Sequence, residues 1–148
     1  MTEGAPSAPA PSKLVFIHEV ASLPPASKVR LLGCIVQYDA MKGHILLEHA
    51  YPRNASPTPR IWVDINLVLE NVKPAVLDPG TWVNVIGYIR ASTPQTGKES
   101  VKRLQNVLDT VFVQAVLIWD AIAVRIEDYE DILEDQRRVR RQLESDRN

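Results

Sequence analysis

The sequence predicts an all-β domain, a small closed barrel of five strands that is followed by one long C-terminal α-helix. Five apolar segments rich in β-branched residues are separated by turn- and proline-rich stretches. Two of these segments are long and carry a central glycine, as expected of strands that bend to serve two sheet faces. The last segment runs into a charged stretch whose apolar residues recur at helical spacing.

The composition limits the classes of function. The chain has 148 residues and a formal net charge of −1. This length is sufficient for one domain with its own hydrophobic core. The near-neutral charge means that any nucleic-acid contact must come from a local basic patch. The single cysteine, Cys34, cannot form an internal disulfide, which is typical of a reducing compartment, and its apolar neighbours favour a buried structural thiol.

The N-terminus predicts a tail without structure. Residues 1–12 are mostly Pro, Ala and Ser with a single charge, and they lack the basic start and apolar core of a secretory signal. No apolar run approaches the roughly 20 residues that cross a bilayer, so we expect no membrane contact. We assign residues 1–13 to a disordered tail, 14–121 to the barrel and 122–148 to the C-terminal helix.

The strands follow in order along the chain. The first is KVRLLGCIVQY, with Gly33 near its middle, and a DAMKG turn leads into the second, HILLEH. RIWVDI is the third strand. The segment after it, NLVLENVKPAVLD, is ambiguous: it is compatible with a short helix that ends before Pro74, and a short helix there would close one end of the barrel. TWVNVIGYIRA, with Gly87, is the fourth, and VFVQAVLIWD is the fifth. Residues 92–110 between them are predicted to form a long loop.

This order of elements matches an oligonucleotide/oligosaccharide-binding (OB) barrel. A five-stranded SH3-like barrel is the alternative, but its strands are usually shorter and it lacks a long terminal helix. In the first strand both alternating sets of side chains are apolar, and a small barrel fills only its inside. The outer apolar residues must therefore be covered by a helix, a loop or another chain.

The C-terminal helix carries more apolar surface than a small barrel needs. Its apolar residues recur at spacings of three, four and seven, with one longer step: Ile122, Ile126, Tyr129, Leu133, Val139 and Leu143. About 20 residues form a rod roughly 30 Å long. We therefore predict that Ile122, Ile126, Tyr129 and Leu133, together with Trp119 on the last strand, bind a second protein. The alternative is that the whole stripe packs on the chain's own barrel.

Basic and aromatic residues on the strands and in the long loop form a candidate surface for single-stranded nucleic acid, because bases stack on aromatic rings beside cations. The candidates are Arg30, Arg60, Trp62, Tyr88, Arg90, Lys98 and Lys102. The alternatives are core or interface packing for the aromatic residues and a solvated surface for the basic ones. No catalytic pattern or phosphate-binding loop is present, and two possible metal ligands on one strand, His44 and Glu48, do not make a metal site. We expect a non-enzymatic protein without a cofactor.

Five sequence blocks, taken in order, carry a resemblance to a known family. They are LPPASKVRLLGCIVQYD, ILLEHAYP, VDINLVLE, GTWVNVIGYI and VQAVLIWDAIAVRIEDYE, and over residues 14–135 the chain resembles the fungal Ten-one (Ten1) family. Its members are the smallest subunit of the CST (Cdc-thirteen/Stn-one/Ten-one) telomere-capping complex. The resemblance implies a single OB fold with a C-terminal helix and no catalytic residues.

The same resemblance implies partners and a location. It implies an RPA-like heterodimer with the Stn-one (Stn1) subunit, association with the large CST subunit, and contact with single-stranded telomeric DNA mainly through the complex. The expected location is the nucleus, at telomeres. An autonomous single-stranded nucleic-acid-binding OB protein is the alternative function.

Overall fold

The computed structural model describes residues 11–91, 111–121 and 126–146 of the chain. The described strands are β1 (Lys13–Leu14), β2 (Lys28–Asp39), β3 (His44–Glu48), β4 (Arg60–Asp64), β5 (Trp82–Ala91) and β6 (Val111–Asp120). Two 3₁₀ helices span Ile17–Ser22 and Pro74–Leu77, and the helix α1 spans Ile126–Asp146.

Strands β2 to β6 close into a barrel. The strands pair in the order β1-β2-β3-β4-β6-β5, and β5 pairs with β2 to complete the ring. The pairings are antiparallel except for β1 with β2 and β4 with β6. The predicted five-stranded OB barrel with a C-terminal helix is therefore confirmed. The short strand β1 differs from the sequence prediction, because Lys13, placed in the predicted tail, pairs with Val29.

Alternate residues of each strand fill the barrel. The fully buried aliphatic side chains in its interior include Val29, Leu31, Ile35, Ile45, Leu47, Val63, Val83, Val85 and Val113. Each such side chain contributes roughly 1.5–3 kcal/mol by leaving water. Val68 and Leu77, from the segment between β4 and β5, join the same core. That segment consists of turns and a 3₁₀ helix, so the ambiguous stretch is helical from Pro74 onward and not before it. Proline favours the first helical position because its missing N–H is not needed there.

The two strand glycines serve different purposes. Gly87 lies where the β5–β6 register shifts, and a Cβ there would lie 2.7 Å from Val113 Cγ1 and collide with the main-chain oxygen of Gln114. Gly33 lies in a regular part of β2, and a Cβ there would meet Leu47 at 3.1 Å. Gly33 thus permits close packing, whereas the register shift in β2 falls between Ile35 and Gln37.

The helix α1 packs on the outer wall of β2. Its Tyr129 and Leu133 form a second apolar cluster with Phe16, Leu32 and Ala121. Leu32 is one of the outward-facing apolar residues of β2, so the chain covers part of its own outer wall. None of the described helical residues forms a segment with the length and hydropathy that crossing a bilayer requires.

Candidate partner-binding and nucleic-acid-binding surfaces

The apolar residues of α1 divide into two stripes. Tyr129 and Leu133 are 9% and 0% exposed and pack on the barrel, with Ile126 half-buried beside them. Val139 and Leu143 are 56% and 60% exposed. The step of six residues from Leu133 to Val139 is about one and two-thirds turns, which places Val139 on another side of the helix. The single stripe predicted from the sequence therefore does not exist.

This division changes the predicted partner-binding set. Tyr129 and Leu133 are buried within the chain, so a partner could contact them only if α1 left the barrel. Trp119, near the end of β6, is half-buried. Ile122 lies outside the described residues.

Polar contacts fix the rotation of α1 on the barrel. On one side, buried His49 donates from Nε2 to Glu130 Oε2 at 2.8 Å, and the Tyr51 hydroxyl donates to Glu134. The Phe16 ring stacks on Tyr51 with 4.1 Å between ring centroids. These partners lie on other elements of the chain, so together they hold α1 in this orientation on the barrel.

Arg137 makes the strongest of these contacts. Its Nε and Nη2 donate to the two carboxylate oxygens of Glu19, each at 2.7 Å, and Nη2 also donates to the Leu14 carbonyl at 2.9 Å. Such a bidentate pair is charge-assisted and directional. Burial acts to raise the pKa of the Glu19 carboxyl, but the Arg137 and Phe16 hydrogen bonds outweigh it and the pKa is lowered.

The packing of α1 on the barrel also raises the pKa values of two tyrosines. The hydrogen bond to Glu134, with burial and nearby carboxylates, raises the pKa of Tyr51 to about 12. Burial raises the pKa of Tyr129 to about 12. Both hydroxyls therefore stay protonated at neutral pH, and the Tyr129 hydroxyl lies 3.4 Å from the Val15 carbonyl that it faces.

A third side of α1, about 100° around the helix from Leu133, exposes three large apolar side chains. We call Ile132, Val139 and Leu143 the helix flank. They are spaced by seven and four residues, so they lie in one line along α1. Ile132 is 57% exposed, although it directly precedes fully buried Leu133. None of the three is needed for the chain's own core.

A second exposed apolar set lies on the outer wall of β5 and β6. We call Ile86, Val116, Leu117 and Trp119 the wall patch. Ile86 pairs with Leu117, and Trp119 follows Leu117 by two residues, so their side chains share the outer face. Val116 and Leu117 are 40% and 52% exposed. The Arg30 guanidinium lies 5.3 Å from the Trp119 ring centroid, which brings a candidate nucleic-acid residue into this apolar patch.

Three candidate nucleic-acid residues meet on one part of the barrel wall. Trp62 pairs with Phe112, and Phe112 pairs with Arg90, so these side chains form a row across β4, β6 and β5. Tyr88 lies in the next row, where Lys28 and Gln114 flank it. We call Lys28, Trp62, Tyr88, Arg90 and Phe112 the aromatic row.

The aromatic row is organised around Tyr88. The Arg90 guanidinium lies 5.5 Å from its ring centroid, and Lys28 Nζ lies 6.0 Å away, both within cation–π range. Arg90 Nε also donates to Gln114 Oε1 at 3.2 Å. Sequence reasoning missed Phe112, because an aromatic residue within a strongly apolar strand is indistinguishable from a core residue. The strict alternation of inward- and outward-facing side chains along β6 was the signal that could have identified Phe112 as an outer residue.

The other nucleic-acid candidates do not all join this row. Arg60 is the first residue of β4, two residues before Trp62. Its Nε donates to Glu48 Oε2 at 2.8 Å, so its charge is partly neutralised. Arg60 and Trp62 also line a groove with a volume of about 670 Å³, next to His18 and Ala21. Lys98 and Lys102 lie outside the described residues.

The described residues contain no group of three or more His, Cys, Asp and Glu side chains that could hold a metal ion. Cys34 is half-buried rather than buried, and burial together with nearby Glu48 raises the pKa of its thiol. A raised pKa leaves less of the reactive thiolate.

Comparisons with known proteins agree with this architecture. The family model described as Ten1, telomere capping, CST complex subunit, matches residues 1–134. No curated protein sequence matches significantly. A chain in the crystal structure of the S. pombe Stn1–Ten1 complex matches with a TM-score of 0.62 and 21% identity, over 90% of this chain and 98% of that one.

Two further solved structures are similar. The telomere capping protein Ten1 from S. pombe matches with a TM-score of 0.60 and 21% identity, over 86% of this chain and 99% of that one. The hypothetical protein ygiW from E. coli matches with a TM-score of 0.52 and 18% identity, over 80% and 100% of the two chains. At such identities the structural matches support the fold alone.

Proposed function

The chain belongs to the Ten1 family of telomere-capping CST complex subunits, and we propose that it is a non-enzymatic subunit that binds a Stn1-type OB protein in an RPA-like heterodimer. The observation that carries the proposal is the helix flank, where Ile132, Val139 and Leu143 stand exposed in one line. Aligned apolar residues that a domain leaves in water mark a protein–protein interface.

The geometry favours a helix or a second barrel as the bound element. A helix of 21 residues is about 32 Å long at 1.5 Å per residue. The part of α1 that carries the flank, from Ile132 to Leu143, is about 17 Å long and offers a narrow stripe of the kind that pairs with another amphipathic helix. The wall patch adds apolar area around Leu117 and Trp119. A specific protein–protein interface of standard size buries on the order of 1,600 Å² of surface in total.

Tyr129 and Leu133 have an indirect role in this proposal. They attach α1 to the barrel, and the Glu19–Arg137 pair sets its rotation, so that Ile132 and Val139 face outward before the partner arrives. An interface that is preorganised in this way loses less conformational entropy on binding.

Coexpression with the Stn1-type subunit of the same organism tests the proposal. We expect a one-to-one complex on size-exclusion chromatography, and Ile132→Asp should weaken its affinity about 30-fold, the equivalent of losing one hot-spot residue. Asp131→Ala, on the solvent-facing side of the same turn, is the matched control and should bind normally. Absence of any complex between the wild-type proteins would refute the proposal.

A second function, contact with single-stranded telomeric DNA, is favoured by the aromatic row. Tyr88 sits between Lys28 and Arg90, and Trp62 and Phe112 continue the row across the wall. Stacking on such side chains contributes about 1–3 kcal/mol per base. The net charge of −1 supports DNA contact through the assembled complex, including the large CST subunit, at telomeres in the nucleus.

The DNA proposal has its own test. Tyr88→Ala should weaken binding of single-stranded telomeric DNA by the complex by about tenfold, and the salt dependence of binding should remain. Met41→Ala, at a fully exposed position in the β2–β3 turn, is the control. Tight, salt-sensitive binding by the isolated chain would instead favour the autonomous nucleic-acid-binding protein.

A further inference from the structure

Among the described residues, no strand pairs with the β4-facing edge of β6 from Val116 to Trp119. β4 pairs with β6 only at Phe112, Val113 and Gln114, and it ends at Asp64. β5 continues to pair with the other edge of β6 as far as Asp120. Past Gln114, no strand among the described residues lies beside β6 on the β4 side. An unpaired edge presents main-chain donors and acceptors to an approaching chain.

The hydrogen-bond alternation shows which residue faces the open side. The Ala121 N–H donates to the Trp82 carbonyl at 2.9 Å, so in this antiparallel pairing Trp119 and Leu117 also direct their main-chain groups toward β5. Ile118 lies between them and directs its N–H and C=O away from β5. No described residue forms a hydrogen bond with either group.

The residues of this edge favour pairing rather than prevent it. Natural edge strands are usually protected by lysine, proline or inward-pointing charges. Residues 115–119 are Ala, Val, Leu, Ile and Trp, without a charge or a proline. The register shift next to Gly87 leaves Val116 without a partner on β5, so this bulge limits the regular open edge to a few residues.

We propose that this edge, Val116 to Trp119, is a strand-addition site for an extended apolar segment of the Stn1-type partner. A peptide backbone is the ligand that supplies an acceptor for the Ile118 N–H and a donor for its C=O together. Leu117 and Trp119, whose side chains lie on the wall patch, select apolar side chains on the added strand. The inference rests on the proposed function, because it names the partner element that the wall patch receives.

Amide hydrogen exchange followed residue by residue by NMR tests the site in the isolated chain and in the coexpressed complex. In the isolated chain, the Ile118 amide should exchange rapidly, while the neighbouring Leu117 and Trp119 amides are protected by β5. In the complex, exchange at Ile118 should slow by at least about tenfold, as expected for one added main-chain hydrogen bond. Leu117 and Trp119 are internal controls.

Each outcome decides between the proposals. If the complex forms but Ile118 still exchanges rapidly, strand addition is wrong and the proposed heterodimer stands. If Ile118 is already protected in the isolated chain and its protection increases with protein concentration, a second copy of this chain occupies the edge, which also overturns the inference. If no complex forms, the proposed function and the strand-addition site fail together.

Discussion

Truncation of Leu133 to alanine tests how α1 is held on the barrel. Leu133 is completely buried against Phe16, Leu32 and Tyr129. The substitution removes three carbon atoms, which corresponds to about 2.4 kcal/mol of lost transfer free energy at roughly 0.8 kcal/mol per group. A residual cavity adds to this cost, but a surface helix can shift to fill part of it. We expect Leu133→Ala to lower the free energy of unfolding by about 3 kcal/mol.

Ile132→Ala is the matched control for this prediction. Ile132 is the adjacent residue of the same helix and is mostly exposed. Its truncation should cost less than about 1 kcal/mol, because most surface substitutions have small effects. The assay is urea unfolding followed by far-ultraviolet circular dichroism and by tryptophan fluorescence, since Trp82 packs against the cluster that contains Leu133.

Two results would refute this reasoning. Equal costs for the two substitutions would show that α1 does not dock through Leu133. A loss of helical signal at lower urea than the fluorescence change, already in the wild type, would show that α1 detaches separately from the barrel. For binding to the partner, Ile132 should matter more than Leu133. Ile132→Ala should lower the affinity for the partner by more than its small effect on the stability of the isolated chain explains.

Three further predictions concern pH and the barrel wall. Stability should fall between about pH 10 and pH 12, because burial raises the pKa of Tyr129 and the phenol of the unfolded chain ionises first. The raised pKa of Tyr51 acts in the same direction, so Tyr129→Phe should reduce this fall in unfolding titrations without abolishing it, and an unchanged fall would argue against a buried Tyr129 hydroxyl. The hydrogen bonds from Arg137 lower the pKa of Glu19 despite burial, so this pair stabilises the fold above about pH 4.5 and stops doing so as the pH falls through the lowered pKa. Glu19→Gln should therefore reduce the loss of stability with falling pH in this range. An unchanged pH dependence of stability would argue against the pair. Gly87→Ala should lower stability by about 1–3 kcal/mol, because the added Cβ collides with the Gln114 main chain, and an unchanged melting temperature would contradict the described β5–β6 register.

The fold could be predicted because its signals are local. The five apolar segments, the proline-rich breaks and the helical spacing each depend on residues close together in sequence. The docking of α1 could not be predicted in the same way. Spacing shows which residues share a side of a helix, but the Arg137 contact with Glu19 and the Glu130 contact with His49 decide which side meets the barrel. These contacts join residues about 80 to 120 positions apart.

The grouping of residues into the candidate surfaces could not be predicted from the sequence either. Trp62, Phe112 and Arg90 form a row only because β4 and β5 both pair with β6, and strand register across such distances cannot be inferred from one sequence. Arg30 and Trp119 were assigned to different functions, yet the structure stacks one on the other. The sequence could thus name candidate residues one by one, whereas their grouping required the barrel.

We propose that the partner binds the helix flank and the wall patch, while Tyr129 and Leu133 hold the helix in place. The most direct measurement is the dissociation constant of the Stn1-type subunit for the double variant Ile132→Asp/Val139→Asp, by isothermal titration calorimetry. We predict at least about 30-fold weaker binding with an unchanged melting temperature of the isolated chain. An unchanged dissociation constant in a correctly folded variant would contradict the account.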